Sequence, residues 1–482
     1  MMAVFLFFIF SLYSVLIVLL FDKIGHISLA FIPPTLSSLI ICVTLLHKQF
    51  KKNASIFHPL PLVCIVLIWS MVLAPIVALT SGYHLAIPPK EINWPIWFLV
   101  ITYIYFICLL FLYLGISSVE KVKLDISTLS HSRQKTLYWG FFFLLITFIC
   151  QLYVYYKFNG IYGYVLTWTL EREKFSGLGP VLTVAEAFPI IGIFVVLLLR
   201  DKIGRETFIF VLAAFLVFFI AKLLFGGLRG SRSNTIWGLF WFAGVIHLSY
   251  YRFKTMQFVL GFIFLLSFMS IYSIYKTYGV DSFNNDVSVT STGRYEGNPL
   301  IGILLTDFSR AGEHAFLLSE VIERDDYESK LGATYFTAIA KLLPGIDSPF
   351  GKESKNSAGA ELFYGTTVLD AGDTDSFYNS RIYGLYGEGL LNFGPLVPVI
   401  LFLILGIFLS LLNKFCISLK PQDIRVLLVP FLSNLCLLLI LADLDNIIFF
   451  FIKNGFIPFV FVFIVSNYIV WKRYGIRKDK NC

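Results

Sequence analysis

The stretch WPIWFLVITYIYFICLLFLYLG, Trp94 to Gly115, contains 22 consecutive residues and no charged side chain. An α-helix rises about 1.5 Å per residue, so this run is long enough to cross the roughly 30 Å of hydrocarbon in a bilayer. A helix is expected because backbone polar groups in lipid must be satisfied within the segment itself. The stretch therefore predicts one membrane-spanning helix. Similar uncharged runs elsewhere in the chain decide the fold.

Runs of the same kind recur along almost the whole chain. Of its 482 residues, 57% are hydrophobic and 14% are charged, and the mean hydropathy of +0.79 is far from the soluble globular average. These values predict an all-α polytopic integral membrane protein. We count twelve expected spans, at 3–21, 27–46, 60–80, 94–115, 136–156, 181–199, 207–225, 234–251, 254–275, 391–412, 426–442 and 447–471.

Basic residues mark alternate connections between these spans. They cluster at 47–52, 117–135, 200–206, 252–254 and 413–425 and in the tail. Because cytoplasmic loops retain Lys and Arg, this alternation predicts that both termini lie in the cytoplasm. It also accounts for the net charge of +8, so no nucleic-acid partner is expected.

The expected spans divide the chain into three parts. Residues 1–275 form an N-terminal bundle of nine helices, residues 276–389 form a large extracytoplasmic segment, and residues 390–482 form three more spans with a basic cytoplasmic tail. A structureless loop of more than about 15 residues is uncommon in a compact domain. The middle segment is therefore expected to be a folded helical cap.

Two helices are expected inside this cap. Asn298 and Pro299 have the pattern of an N-cap followed by proline in the first turn, which predicts a helix that continues to about Val321. A second helix is expected from Gly332 to Leu343, before Pro344.

The stretch FGGLRGSRSNTIWG, residues 225–238, joins the seventh and eighth expected spans on the outer side. It contains Arg229 and Arg232 among three glycines. Arginine binds phosphate oxygens bidentately, and glycines let backbone amides approach an anion closely. The stretch predicts an anion-binding site. The alternative is that both arginines only reach out to lipid headgroups.

A polar trio lies in the cap, within the expected helix from Pro299. The spacing of Asp307, Arg310 and His314 places all three in one sector of that helix, among apolar positions. Buried polar groups of this kind must be paired or functional. His314 is a candidate general base. The alternative is a structural network that holds the cap to the bundle.

A third group precedes the tenth expected span, in DAGDTDSFYNSRIYGLYGEGLLNFGP, residues 370–395. Arg381 and Glu388 combine an arginine and a carboxylate at the outer membrane edge. Asp373 and Asp375 form a D-x-D pair, a pattern more typical of a turn than of a metal site.

The sequence LADLDN adds Asp443 and Asp445 at the same edge, with a simple turn as the alternative. The seven histidines and seven cysteines have no zinc-ligand spacing, so no metal is expected.

These features resemble the O-antigen and capsule repeat-unit polymerases of bacterial surface polysaccharide synthesis, the Wzy group. The resemblance rests on the turn GLRGSRSN, on the large late outer segment and on YGLYGEGLLNFGP before the next span. The Arg-x10-Gly repeat of some members is absent here. The resemblance implies a GT-C-like architecture in the bacterial cytoplasmic (inner) membrane, with the large loop in the periplasm.

The resemblance also implies an activity. The enzyme would be a glycosyltransferase that polymerises undecaprenyl-diphosphate-linked oligosaccharide repeat units, with no cofactor and possible control by a chain-length regulator protein. A cap residue would accept the proton of the acceptor hydroxyl; the candidates are Glu388, Asp375 and His314. Arginines would bind substrate and stabilise the leaving diphosphate; the candidates are Arg229, Arg232, Arg294, Arg310 and Arg381.

Three other functions remain open at this stage, and the third, after the two described next, is a purely structural membrane scaffold. One is an O-antigen ligase or another lipid-sugar-dependent glycosyltransferase, although residues 370–390 lack the histidine that ligases tend to carry there. The other is a flippase or transporter of lipid-linked oligosaccharide, which predicts broken helices and a polar path inside the membrane.

Overall fold

The computed structural model describes residues 2–85, 90–170, 172–200, 207–229, 232–278, 299–324, 327–340, 342, 355–364 and 381–466. Within these ranges the regular structure is helical, apart from one isolated bridge between His131 and Ser466. The all-α expectation is confirmed for this part of the chain.

The helices are numbered in chain order. The first group is α1 (Met2–Ile24), α2 (Ser28–Lys51), α3 (Pro59–Leu67), α4 (Ala74–Ser81), α5 (Trp94–Ser118), α6 (Arg133–Lys157), α7 (Gly160–Leu170), α8 (Gly179–Glu186), α9 (Phe188–Leu199), α10 (Thr207–Lys222), α11 (Arg232–Ser249) and α12 (Thr255–Tyr278). The second is α13 (Pro299–Thr306), α14 (Ala311–Glu323), α15 (Ala333–Ala340), α16 (Lys355–Tyr364) and α17 (Gly384–Phe393). The last is α18 (Val397–Ser418), α19 (Val429–Leu441), α20 (Leu444–Phe450) and α21 (Phe456–Val465).

Three short π-helical segments interrupt these helices. Ile68–Leu73 joins α3 to α4, Leu223–Gly227 extends α10, and Phe451–Gly455 joins α20 to α21. The segment after α10 also contains a real break, because Phe225 and Gly226 have non-helical backbone angles. Such segments are rare in helices and are frequent at functional sites.

Ten segments of the described residues are long and apolar enough to cross a membrane. They are Phe8–Lys51, Pro59–Ser81, Trp94–Ser118, Arg133–Lys157, Gly179–Leu199, Ile209–Gly227, Thr255–Tyr272, Val397–Ser418, Ile424–Leu441 and Leu444–Val465. The first covers two expected spans, and α11, which coincides with the expected span 234–251, is not among the ten. The protein is a multi-pass membrane protein, while the count of twelve spans and the side of each terminus stay predictions.

The bundle depends on close packing of α5 against α18. A Cβ placed on Gly406 would lie 2.3 Å from the carbonyl oxygen of Leu112, and one on Gly115 would lie 2.2 Å from that of Leu403. Small residues at such positions let two helix backbones approach, which is a common basis of helix association in membranes. These glycines therefore bring α5 and α18 together.

We expect Gly406→Val to separate these two helices. A side chain at this position overlaps the backbone of α5, and overpacking of this kind costs about 1–3 kcal/mol. The thermal midpoint of the purified protein should fall. Gly261→Val in α12 is the matched control, since nothing lies within 4 Å of a Cβ at Gly261. Equal midpoints for the two variants would contradict this packing.

The prediction of a single helix from Pro299 to about Val321 is wrong. The chain instead forms α13 and α14, with a break at residues 307–310. The side chain of Ser309, two residues before α14, accepts a hydrogen bond from the backbone N–H of Ala311 at 3.1 Å, a local contact that competes with a continuous helix. Asp307, Arg310 and His314 therefore do not share one helix face.

The second expected helix of this region is shorter than predicted. It spans Ala333–Ala340 and follows Gly332, whose φ of +89° favours glycine. Leu343 lies outside the described residues.

Helices α13 to α17 lie at one end of the bundle, where α4 ends and α5 begins. The indole of Trp97 in α5 donates to Glu323 in α14 at 3.1 Å, and that of Trp69 donates to the carbonyl of Leu304 at 3.0 Å. We call this the cap end of the bundle.

Candidate functional site

The first candidate site is built around Glu186, the last residue of α8, which is 2% exposed. Arg229 forms an ion pair with its Oε1. Lys453 Nζ lies 3.5 Å from Oε2, and the Asn234 amide donates to Oε2 at 2.5 Å. Lys222, also buried, lines the same small cavity as Glu186. We call Glu186, Lys222, Arg229 and Lys453 the cationic cluster.

The break after α10 makes room for this cluster. Gly226 has a φ of +115°, and a Cβ there would lie 2.7 Å from Glu186 Cγ. Any larger residue would collide with the carboxylate and would strain the backbone. Lys222 precedes the break and lines the same cavity as Glu186, while Arg229 follows the break and pairs with Glu186.

The charges of the cationic cluster do not balance. Among the described residues, three cations and one carboxylate leave a formal charge of +2 (3 − 1) in a largely buried position. Burying like charges is costly unless they are neutralised. A bound anion would neutralise this excess, and so would proton loss from a lysine.

Three members of the cluster lie inside apolar segments. Glu186, Lys222 and Lys453 lie within Gly179–Leu199, Ile209–Gly227 and Leu444–Val465 respectively. Ionisable residues at membrane depth are rare and usually mark a functional site. Sequence reasoning missed all three, although a charge inside an apolar run was the signal that could have found them.

Arg229 is buried in the structure. It is 7% exposed, and its guanidinium lies 5.4 Å from the ring of Trp168 as well as on Glu186. This position does not fit the alternative of an arginine that reaches out to lipid headgroups. Arg232 is the first residue of α11, and its side chain lies outside the described part of the structure. Arg294 and Asp375 also lie outside the described residues.

The second candidate site is centred on Asp443, between α19 and α20, which is fully buried. Its Oδ1 accepts hydrogen bonds from the backbone N–H groups of Tyr383 and Gly384 at 2.8 and 2.9 Å. Lys355 Nζ lies 2.5 Å from Asp443 Oδ2 and 3.3 Å from Asp445 Oδ1. The aspartates of LADLDN therefore bind a buried lysine and the start of α17 rather than forming only a turn.

Glu388 lies beside this lysine and aspartate, on α17, and is 3% exposed. Its Oε1 bonds to the Thr334 hydroxyl at 3.0 Å, and its Oε2 accepts from the Leu444 N–H at 2.8 Å. Burial, and then the charge of Asp443, raise the pKa of Glu388. Such a carboxyl exchanges a proton more readily near neutral pH than an ordinary glutamate. We call Lys355, Glu388, Asp443 and Asp445 the carboxylate cluster.

Both ring nitrogens of His314 take part in hydrogen bonds. Nε2 lies 2.6 Å from the Tyr383 carbonyl, which can only accept, so Nε2 carries the proton. Nδ1 then accepts from the Tyr105 hydroxyl at 2.6 Å. Burial lowers the pKa of His314 to about 3. This arrangement favours the structural alternative for His314 over the general base.

Arg310 also makes structural contacts. Its Nε donates to the Leu441 carbonyl at 3.1 Å, at the end of α19, and its Nη1 donates to the Ser309 carbonyl at 2.9 Å. Arg381 lies near the same region, with its guanidinium 4.3 Å from the centroid of the Phe363 ring. The structure thus brings Arg310, His314 and Glu388 together around Tyr383 and α17.

The two clusters are connected by one membrane segment. Its first residue, Leu444, donates to Glu388, and Lys453 lies further along it. Lys453 Nζ lies 5.6 Å from the ring centroid of Phe449, so the lysine points back toward the start of the segment. Lys453 and the residue that donates to Glu388 therefore lie on the same membrane segment, nine residues apart (453 − 444).

The two clusters together contain the side chains that are needed for the transfer of a group from a phosphorylated donor. Buried cations stabilise a phosphate that develops charge, and a carboxyl with a raised pKa accepts a proton from an attacking hydroxyl. Comparison with protein-family models, with curated proteins and with solved structures finds no match to this chain.

Proposed function

We propose that this protein transfers a glycan chain from a lipid diphosphate to a second lipid-linked saccharide, and so polymerises repeat units of a bacterial surface polysaccharide. The observation that carries the proposal is the excess of cations over carboxylates among the described residues of the cationic cluster, on the membrane segment whose first residue donates to Glu388. The sequence resemblance to O-antigen and capsule polymerases supplies the substrate class.

In the proposed reaction the donor diphosphate lies on the cationic cluster. When the bond between the anomeric carbon and the diphosphate breaks, negative charge develops on the leaving oxygen. Arg229 and Lys453 would hold this charge, and Glu186 would orient both side chains. Buried donors that are already oriented need little reorganisation during the reaction, which makes them effective in catalysis.

The acceptor sugar would lie toward the carboxylate cluster. Glu388 is the strongest candidate to exchange a proton with the acceptor, since burial raises its pKa. To accept the proton of the attacking hydroxyl, Glu388 would have to be deprotonated and to release the Thr334 hydroxyl. Asp443 is held by two backbone N–H groups and by Lys355, so its role would be to position α17.

Loss of the gene in its host tests the proposed function. We expect surface glycan that carries one repeat unit on its anchor, because polymerisation stops while other steps continue. Long polymer that accumulates on the lipid carrier would instead indicate a ligase. The assay is the length distribution of the glycan on gels, together with analysis of the lipid-linked pool.

One observation favours a second candidate, a flippase for lipid-linked saccharides. The broken helix at Leu223–Gly227 and the three charged residues inside apolar segments are features of transporters. A flippase would use the same cations to carry a diphosphate across the membrane. Single lipid-linked units trapped on the cytoplasmic side after gene loss would favour this function over the polymerase.

A further inference from the structure

A separate pocket lies at the end of the bundle opposite the cap end. Helix α5 begins at the cap end and reaches this pocket at its last turn, where α2 and α18 also end. We call it the basal pocket, and its walls include four lysines: Lys48, Lys52, Lys123 and Lys414. None of these residues belongs to either cluster described above.

The floor of the basal pocket is polar and buried. The Asn413 amide donates to Gln49 Oε1 at 2.8 Å, and Asn413 Oδ1 accepts from the Leu60 N–H at 3.2 Å. Ser410 lies beside them, also buried. Amide side chains from α2 and α18 thus form a fixed polar base between two membrane segments.

The rim carries an excess of positive charge. Four lysines and Glu120 leave a formal charge of +3 (4 − 1) among the lining residues. Glu120 lies 3.6 Å from Lys52, and both side chains are about half exposed. Lys414 donates to the carbonyls of Glu120 and Val122 at 2.7 and 2.9 Å. Lys48 Nζ lies 5.6 Å from the centroid of the Tyr113 ring and, like Lys123, has no carboxylate or carbonyl partner among the contacts of the described residues. Lys48 and Lys123 are therefore the lysines of this pocket most accessible to an anionic ligand.

Apolar side chains complete the pocket. The wall contains Leu45, Leu60, Ile116, Leu124 and Ile417. A site that combines cations, a polar floor and an apolar wall at a membrane edge matches an amphiphile with a phosphate headgroup. The tendency of loops on one side to be basic explains lysines at this end, but it does not explain a concave site with a buried amide floor.

We propose that the basal pocket binds the phosphorylated headgroup of a lipid from the adjacent leaflet. The phosphate lies between Lys48 and Lys123, and the first part of the lipid chain lies along the apolar wall. Two sources have this chemistry: an anionic phospholipid and a polyprenyl phosphate. The site is independent of the proposed glycosyl transfer, because its residues lie at the other end of the bundle.

The test is lipid retention by the purified full-length protein, measured by native mass spectrometry after exchange into defined lipids. We expect phosphatidylglycerol or polyprenyl phosphate to be retained in preference to phosphatidylcholine. Lys48→Gln/Lys123→Gln should weaken retention about 25-fold, since each lysine near a phosphate headgroup contributes about fivefold. Lys51→Gln/Lys121→Gln is the matched control, because it removes two exposed lysines of the same segments that do not line the pocket.

Equal retention by the two double variants would overturn the proposal, as would equal retention of phosphatidylglycerol and phosphatidylcholine. The lipid retained more tightly identifies the source, and either source supports the site. Competition by inorganic phosphate at the same concentration as the lipid would exclude a lipid ligand. The thermal midpoint in phosphatidylcholine shows that each variant is folded.

Discussion

Lys453→Gln is expected to abolish long-chain glycan while the protein stays as stable as the wild type or becomes more stable. The substitution removes one of the three cations of the cationic cluster and leaves the ion pair between Arg229 and Glu186 in place. Repulsion among the cations therefore falls in the empty protein. Transition-state stabilisation also falls, and loss of one such donor typically costs about 10²–10³ in rate.

These two effects together distinguish a lysine that binds substrate from a lysine that only stabilises the fold. A lysine that only holds the fold would lower the thermal midpoint when it is removed, whereas a substrate-binding lysine lowers activity without this loss. The measurements are glycan length in cells and the midpoint of the purified protein. Lys157→Gln, at an exposed lysine at the end of α6, is the matched control and should change neither. Normal glycan length in Lys453→Gln would contradict the role of the cluster.

Asp443→Ala is expected to destabilise the cap end strongly. The change removes the closest carboxylate from Lys355 and leaves the N–H groups of Tyr383 and Gly384 without their acceptor. Removing one partner of a buried ion pair costs about 3–5 kcal/mol. The thermal midpoint and the yield of folded protein should both fall.

A second substitution tests the cause of this loss. Asp443→Asn/Lys355→Met removes both charges and keeps a side-chain oxygen near α17, so it should recover much of the stability that Asp443→Ala loses. Asp125→Ala, at an exposed aspartate between α5 and α6, should change stability by no more than about 0.5 kcal/mol. No recovery in the double variant would contradict the ion pair as the cause.

The membrane segments could be predicted from sequence because their signal is local. An uncharged run such as residues 94–115 has only one stable conformation in a bilayer, and the structure places α5 there. The break at residues 307–310 was missed because the apolar spacing continues across it. The helix is interrupted there, where the Ser309 side chain makes a local hydrogen bond that competes with the helix.

The candidate site was harder to predict, because its members come from distant parts of the chain. Arg229 and Glu388 were found from local glycine and charge patterns. Glu186 and Lys453 are separated by 267 residues in the sequence (453 − 186), and only packing brings them within 3.5 Å. For Asp443 the sequence left a simple turn as the alternative. Its partners are a lysine and two backbone N–H groups from other segments, which no local pattern indicates.

The most direct test of the central claim is the affinity of the purified protein for undecaprenyl diphosphate. It is best measured in the Lys48→Gln/Lys123→Gln background, so that the basal pocket does not contribute. We predict binding that weakens at least tenfold in both Arg229→Gln and Lys453→Gln and stays unchanged in Lys157→Gln, since hydrogen bonds to charged groups contribute about 1.5–3 kcal/mol. Equal affinity in all of these variants would contradict the assignment of the cationic cluster as the diphosphate site.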